Sequence, residues 1–238
     1  MAVDDVRSQQ AVYAARVERK FAIKSEAIDD VLRQVADHLP RDPMYPTAQA
    51  VSTTYIRSID EGGPKGKIRI RTYPSSPSAP TFLEFKEAAD AMNTKQRIKV
   101  VPDIVERLVR GQDVREAVGL IERGGEDLPV ARRAVDLVDR GMEPAVRVDY
   151  MREAFEDTTG TVRVTIDRDL VQSGVGRLEG HGSAPRPGAI LELKTAGEAL
   201  PSWLDDVLKA GAADITPLAS GKGKVALNAV LDGAKLLR

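Results

Sequence analysis

The chain of 238 residues contains no cysteine, which excludes disulfides, thiolate metal ligands and cysteine nucleophiles and suits a reducing compartment. Histidine is almost as scarce, with two in the chain. His38 lies in a helical stretch before a proline and His181 in a glycine-rich loop, and neither has the neighbours of a catalytic triad or a zinc site. Aromatic residues make up 4%; Tyr73 is the nearest to the basic runs KGKIRIR and KQRIK, too little stacking surface for a nucleic-acid interface. Neither sign of charge dominates, with 35 Lys and Arg against 36 Asp and Glu. A nucleic-acid binder or a polybasic membrane clamp is therefore not expected, and any anion site must come from local clustering. No apolar run approaches the ~20 residues of a membrane span. The first residues, MAVDDVRSQQ, are acidic and polar rather than basic and then apolar, so a soluble, cytoplasmic protein is expected.

What the sequence does have is alternation. The length suits one domain, taken as residues 1–238. Period-two patterns predict strands at 12–23, 50–60, 67–73, 81–87, 95–101, 145–155, 161–168 and 188–195. Ser25 opens a helix running to Leu39, and another begins near Leu200. Between the two groups of strands, three-to-four spacing broken by glycines predicts a helical insertion over about 103–140. The stretch SGVGRLEGHGSAPRPG is expected to be a loop. It lacks the Gly-Lys-Ser/Thr ending of a phosphate-cradling loop. Trp203 is expected to pack in the core or against a covering segment.

The strands have an unusual polar face. Lys67, Arg69 and Arg71 share one side of a strand against Ile68 and Ile70. Glu84 and Lys86 oppose Leu83 and Phe85, and Glu192 and Lys194 oppose Leu191 and Leu193. Arg163, Thr165 and Asp167 oppose Val162, Val164 and Ile166. A sheet with its apolar face on helices and its polar face in water gives the same alternation. A solvated face, however, mixes in Thr, Ser and Gln, whereas here short Glu-x-Lys and Arg-x-Arg pairs recur on separate strands. Closing the sheet with these faces inward removes exposed edges and brings both signs of charge into one tunnel. Such an interior is costly without a ligand, and a polyanion with a divalent metal supplies one. Arg and Lys neutralise phosphate oxygens, and Glu carboxylates hold Mg²⁺ or Mn²⁺. The expected fold is α+β, an antiparallel β-barrel tunnel with a charged interior covered by helices.

Seven motifs, in order, carry a resemblance: RVERKF (16–21), KIRIRTY (67–73), FLEFK (82–86), KQR (95–97), RVDYMREAF (147–155), VRVTID (162–167) and ILELK (190–194). Together they resemble the VTC (vacuolar transporter chaperone) domain of polyphosphate polymerases, within the CYTH-like triphosphate tunnel metalloenzymes. The resemblance implies metal-dependent phosphoryl transfer, with polyphosphate made from ATP and ADP released. The alternatives are a triphosphatase acting on nucleotide or inorganic triphosphate, and a non-catalytic polyphosphate-binding module. It implies catalytic roles for Lys20, Arg69, Arg71, Lys86, Arg147 and Arg163, and substrate binding by Lys95, Arg97, Arg152, Lys194 and Lys224. Glu192, joined by Glu18 and Glu84, is implied as the holder of Mn²⁺ or Mg²⁺. ATP, inorganic triphosphate or polyphosphate is the implied ligand, and coupling to translocation would need a membrane partner protein.

The chain departs from the family pattern twice. Arg57 stands where the family's Tyr-x-Asp, here Tyr55-Ile56-Arg57, has its Asp. A Ser-Lys-Tyr pattern appears as Gly223-Lys224-Val225. Arg147 also has the opposite strand parity to Tyr150 and Arg152, which requires either a bulge or an outward-facing residue.

Overall fold

The computed structural model describes residues 17–58, 67–75, 81–89, 92–100, 136, 139–219, 222, 226, 228 and 230, with the backbone alone for 86–89, 92–98 and 183–187. The strands are β1 (Val17–Ile23), β2 (Gln49–Ser58), β3 (Lys67–Thr72), β4 (Thr81–Ala89), β5 (Met92–Val100), β6 (Met142–Glu156), β7 (Val162–Gly174), β8 (Gly182–Thr195) and β9 (Ile215–Pro217). The helices are α1 (Ile28–His38) and α2 (Ser202–Ala210). Residues 222, 226, 228 and 230 are also helical. The expected helical insertion over about 103–140 lies largely outside the described residues.

Among the described residues nine strands form one antiparallel sheet in the order β5-β4-β3-β2-β6-β7-β8-β1-β9. The meander β2 to β5 follows the expected strand series. Among the described residues no ladder joins the two ends, so a single antiparallel sheet replaces the expected closed barrel. At the β9 end the ladder is three residues long and finishes on Pro217, which has no N–H to extend it.

The apolar face of β1, β7 and β8 is covered by the two helices. Val31 and Val35 of α1 and Leu204 of α2 pack with Val164, Ile166, Leu191 and Leu193 in one buried cluster. Asp29 and Asp30 in the first turn of α1 complement its dipole, and the helix gives way to extended backbone at Leu39, the residue before Pro40. Trp203 packs on the same cluster and stacks on the His38 ring at 4.6 Å, which assigns both residues to joining α1 and α2.

One expectation fails here. Much of SGVGRLEGHGSAPRPG is not loop but strand, because β7 and β8 continue as a long hairpin with Ser173 opposite Gly182. The glycines that suggested a loop are needed for close backbone approach. A Cβ on Gly174 would lie 1.8 Å from the Leu178 carbonyl oxygen, and Gly188 has φ +91 with the Ile23 carbonyl oxygen 2.2 Å from its Cβ position.

Candidate phosphate-binding site

The alternation read from the sequence now has a direction. Because Val164, Ile166, Leu191 and Leu193 meet the helices, Arg163, Thr165, Asp167, Glu192 and Lys194 must face the other side of the sheet. Register carries this face across the strands. Lys20 stands opposite Glu192, Thr165 opposite Glu192, and Arg152 opposite Asp167. At the other end of the sheet, Tyr55 stands opposite Arg69 and Arg69 opposite Glu84.

The face curls on itself. Lys222 feels the charges of Arg152 on β6, Arg71 and Arg69 on β3, and Lys20 on β1, and burial together with these four cations pushes its pKa well down, despite its ion pair with Asp167. Arg71, Arg152 and Lys222 are respectively 7%, 8% and 9% exposed. Ala226 and Val230 pack against Val51, Tyr55, Val148 and Tyr150, and the Lys222 ammonium lies 5.0 Å from the Tyr150 ring centroid, which places all three on the polar side of the sheet.

Each cation has a defined setting. Arg152 donates from Nε and Nη2 to the two Asp167 oxygens at 2.6 and 2.8 Å. Arg69 pairs with Glu84, which lies 3.7 Å from Arg71. Lys20 pairs with Glu18 and lies 3.9 Å from Glu192, and Lys194 lies 3.0 Å from the other Glu192 oxygen. Burial works against the Glu192 carboxylate, but Lys194, Arg152 and Lys20 hold its pKa down to about 2. Near the β6–β7 turn Arg163 bridges Asp42 at 2.6 Å and Glu156 at 3.1 Å, with its guanidinium 5.7 Å from the Tyr45 ring centroid. Tyr45 and Tyr73 share a hydrogen bond of 3.2 Å there. Burial and Tyr73 push Tyr45 up to about 12. Tyr150 moves the other way: burial opposes its ionisation, yet Arg152, Arg71 and the Thr53 hydroxyl bring its pKa down.

The structure thus brings together Lys20, Arg69, Arg71, Arg152, Lys194 and Glu192 on one face, with Glu18 beside Lys20 and Arg163 near the β6–β7 turn. Lys86, Lys95 and Arg97 occupy matching register positions, Lys86 opposite Lys67, Lys95 opposite Lys86 and Arg97 opposite Glu84; their side chains lie outside the described residues. Arg147 does not join the group. It keeps the parity of Asp149 rather than that of Tyr150 and Arg152, is half-exposed, and pairs with Asp149 at 2.9 Å. A register shift between Asp149 and Met151 interrupts pairing to β7 without turning Arg147 inward. Lys224 lies outside the described residues, and the lysine seen in the site is Lys222. Residues missed as site members are Lys222, Tyr150 and Asp167, although Asp167 stood in the alternating face of VRVTID.

The expected trio of metal-holding glutamates is not assembled. Among the described residues no three His, Asp or Glu side chains gather into a metal-holding group. Glu84 sits on β4 with Arg69 and Arg71, separated from Glu192 on β8 by four intervening strands. Glu192 still fits a hard cation. It is ionised at neutral pH, and the Thr165 hydroxyl opposite it is buried without a hydrogen-bond partner. One or two carboxylates completed by substrate phosphates are an ordinary Mg²⁺ environment.

The VTC domain model matches residues 15–220. The chain belongs to the VTC domain family. Lys222 lies just beyond the matched stretch. No curated protein matches this VTC chain. Among solved structures it is similar to HpAC1 from Hippeastrum, described as a candidate adenylyl cyclase with a dominant triphosphatase activity, at 15% identity and a TM-score of 0.56, covering 89% of this chain and 94% of that one. A candidate adenylate cyclase from Bacillus halodurans gives 11% identity and the same TM-score of 0.56, covering 88% of this chain and 96% of that one. At these identities the likeness is one of fold.

Proposed function

We propose that this VTC domain transfers the γ-phosphoryl group of ATP to the end of a polyphosphate chain, releasing ADP. The observation that carries the reading is the burial of Arg71, Arg152 and Lys222 within one another's electrostatic reach. Cations buried together repel and lose hydration, and a bound polyanion reverses both penalties. In this reading Arg71 and Arg152 orient the phosphoryl oxygens and Lys222 neutralises charge between them. Lys20, Arg69, Lys194 and Arg163 extend the basic lining, as do Lys86, Lys95 and Arg97 from their register positions.

Glu192, assisted by Glu18 and the Thr165 hydroxyl, would hold Mn²⁺ or Mg²⁺; the metal, when bound, supplies charge neutralisation on the phosphates. The acceptor's terminal phosphate oxygen attacks the γ-phosphorus, the bond from phosphorus to the β–γ bridging oxygen breaks, and ADP leaves with that electron pair. No proton need be removed from an acceptor that is already ionised. Hydrolysis differs in that water must lose a proton as it attacks. The activity described for HpAC1 is the reason to retain triphosphate hydrolysis as the second reading.

A cytoplasmic location and a membrane partner for translocation belong to the same proposal. Among the described residues no helix is long and apolar enough to cross a membrane. The test is incubation of the whole chain with ATP and Mg²⁺ or Mn²⁺, with and without a short polyphosphate primer, followed by resolution of the products. Lengthened chains with ADP are expected. Free phosphate without chain growth would replace the polymerase by a triphosphatase, and polyphosphate binding without turnover would leave a binding module.

A further inference from the structure

Resting on the phosphate-tunnel reading, we infer that Arg57 forms an additional phosphate subsite at the Lys67 end of the sheet, one that engages polyphosphate longer than a triphosphate. Arg57 shares strand parity with Thr53 and Tyr55, and its guanidinium lies 5.8 Å from the Tyr55 ring centroid. Tyr55 lies in the field of Arg69, Arg71 and Arg152. Arg57 is therefore on the same inward face as the basic site and one step further along it.

Its surroundings lack the compensation seen deeper in. One row across the strands reads Tyr55, Arg69, Glu84 and Arg97, so Glu84 offsets the arginines. The next row out is different. Ile56 pairs with Ile68, which sets Arg57 beside Lys67; Lys67 is opposite Lys86, and Lys86 is opposite Lys95. From β2 to β5 that row holds four basic residues and no acidic one. The carboxylate opposite Arg57 on β6 belongs to Glu143, which is engaged by Arg177. Arg57 Nε is buried without a hydrogen-bond partner, and among the described residues no carboxylate pairs with the guanidinium. A partly buried guanidinium with an unmet donor is completed by an anion that can accept from its fork.

Same-face residues stand about 7 Å apart along a strand, so the Arg57 row lies beyond the Arg69 row by roughly that step. A short chain centred on Arg71, Arg152 and Lys222 occupies the inner rows, and a longer one continues onto Arg57.

The test compares inorganic tripolyphosphate with polyphosphate of several tens of phosphates by calorimetry on the whole chain, without nucleotide. For Arg57→Gln, affinity for the long chain is expected to fall about tenfold, the scale of one charge-assisted hydrogen bond, while tripolyphosphate affinity changes less than about twofold on the same scale. Arg57→Lys keeps the charge without the fork and should restore part of the loss, which a merely structural role would not predict. Equal losses for both ligands, or no loss for either, would overturn the subsite. If the unsubstituted chain binds neither ligand, the phosphate-tunnel reading itself falls, and the subsite with it.

Discussion

Arg152 holds Asp167 through two parallel hydrogen bonds of 2.6 and 2.8 Å, and Lys222 is paired with the same carboxylate. One fully buried anion thus serves two buried cations, leaving excess positive charge for a ligand to meet. Asp167→Asn removes the shared anion while keeping its shape. Folding stability is expected to drop by about 3–5 kcal/mol, as when one partner of a buried pair is lost. Tripolyphosphate should restore part of that loss, because it supplies negative charge to the same two cations. Urea unfolding with and without tripolyphosphate checks this; equal ligand stabilisation of both proteins would contradict it.

Lys222→Met separates stability from binding. In the native state the ammonium is disfavoured by burial and by Arg152, Arg71, Arg69 and Lys20, so its pKa lies well below the ordinary 10.5. Between that lowered value and 10.5 the unfolded chain binds more protons, so stability linked to this group rises with pH. At neutral pH the Met variant should melt higher than the parent, by a few degrees for each kcal/mol gained (about 2–4 °C), and should lack that rise with pH. Its tripolyphosphate affinity should nevertheless fall. Calorimetric titration alongside thermal melts from neutral to alkaline pH provides both readouts.

How much of this was legible follows from strand parity. Arg69, Arg71, Glu84, Glu192 and Lys194 could be placed on one face because period-two alternation needs no tertiary information. Alternation alone did not say which face the helices cover; the packing of Val164, Ile166, Leu191 and Leu193 against α1 and α2 does, and it leaves the charged residues on the opposite face. Lys222 was not singled out in the sequence, because its place beside Asp167 and Tyr150 depends on contacts that only the folded chain makes. The long β7–β8 hairpin was hidden by glycines whose role is close backbone approach, a contact between residues that only the folded chain brings together.

Arg147 offers the opposite kind of test. The family resemblance implied a catalytic role for it, but it is half-exposed and paired with Asp149 on the other side of β6. Arg147→Ala should leave tripolyphosphate affinity unchanged and alter stability by no more than about 1 kcal/mol, the scale of an exposed ion pair. Calorimetry would detect a tenfold loss of affinity easily. Such a loss would return Arg147 to the site and require β6 to turn between Arg147 and Tyr150.

Glu192→Gln distinguishes an enzyme from a binding module and also has a pH signature. Its native pKa, about 2 against an ordinary 4.5, means that its contribution to stability is fully present above 4.5 and is lost as pH falls through about 2. The Gln variant should lose the acid dependence belonging to this group while remaining folded at neutral pH. Turnover of ATP with Mg²⁺ or Mn²⁺ should fall by at least about 100-fold if the carboxylate holds the metal, comparable with losing one electrostatic element of a transition-state site. Metal-free binding of tripolyphosphate should persist or tighten, because Lys20 and Lys194 no longer share their charge with a carboxylate. Steady-state assays, metal-free calorimetry and acid melts test the three consequences separately. Retained turnover would remove Glu192 from the metal site, whereas lost turnover with lost anion binding would show that the substitution had disturbed the basic lining as well.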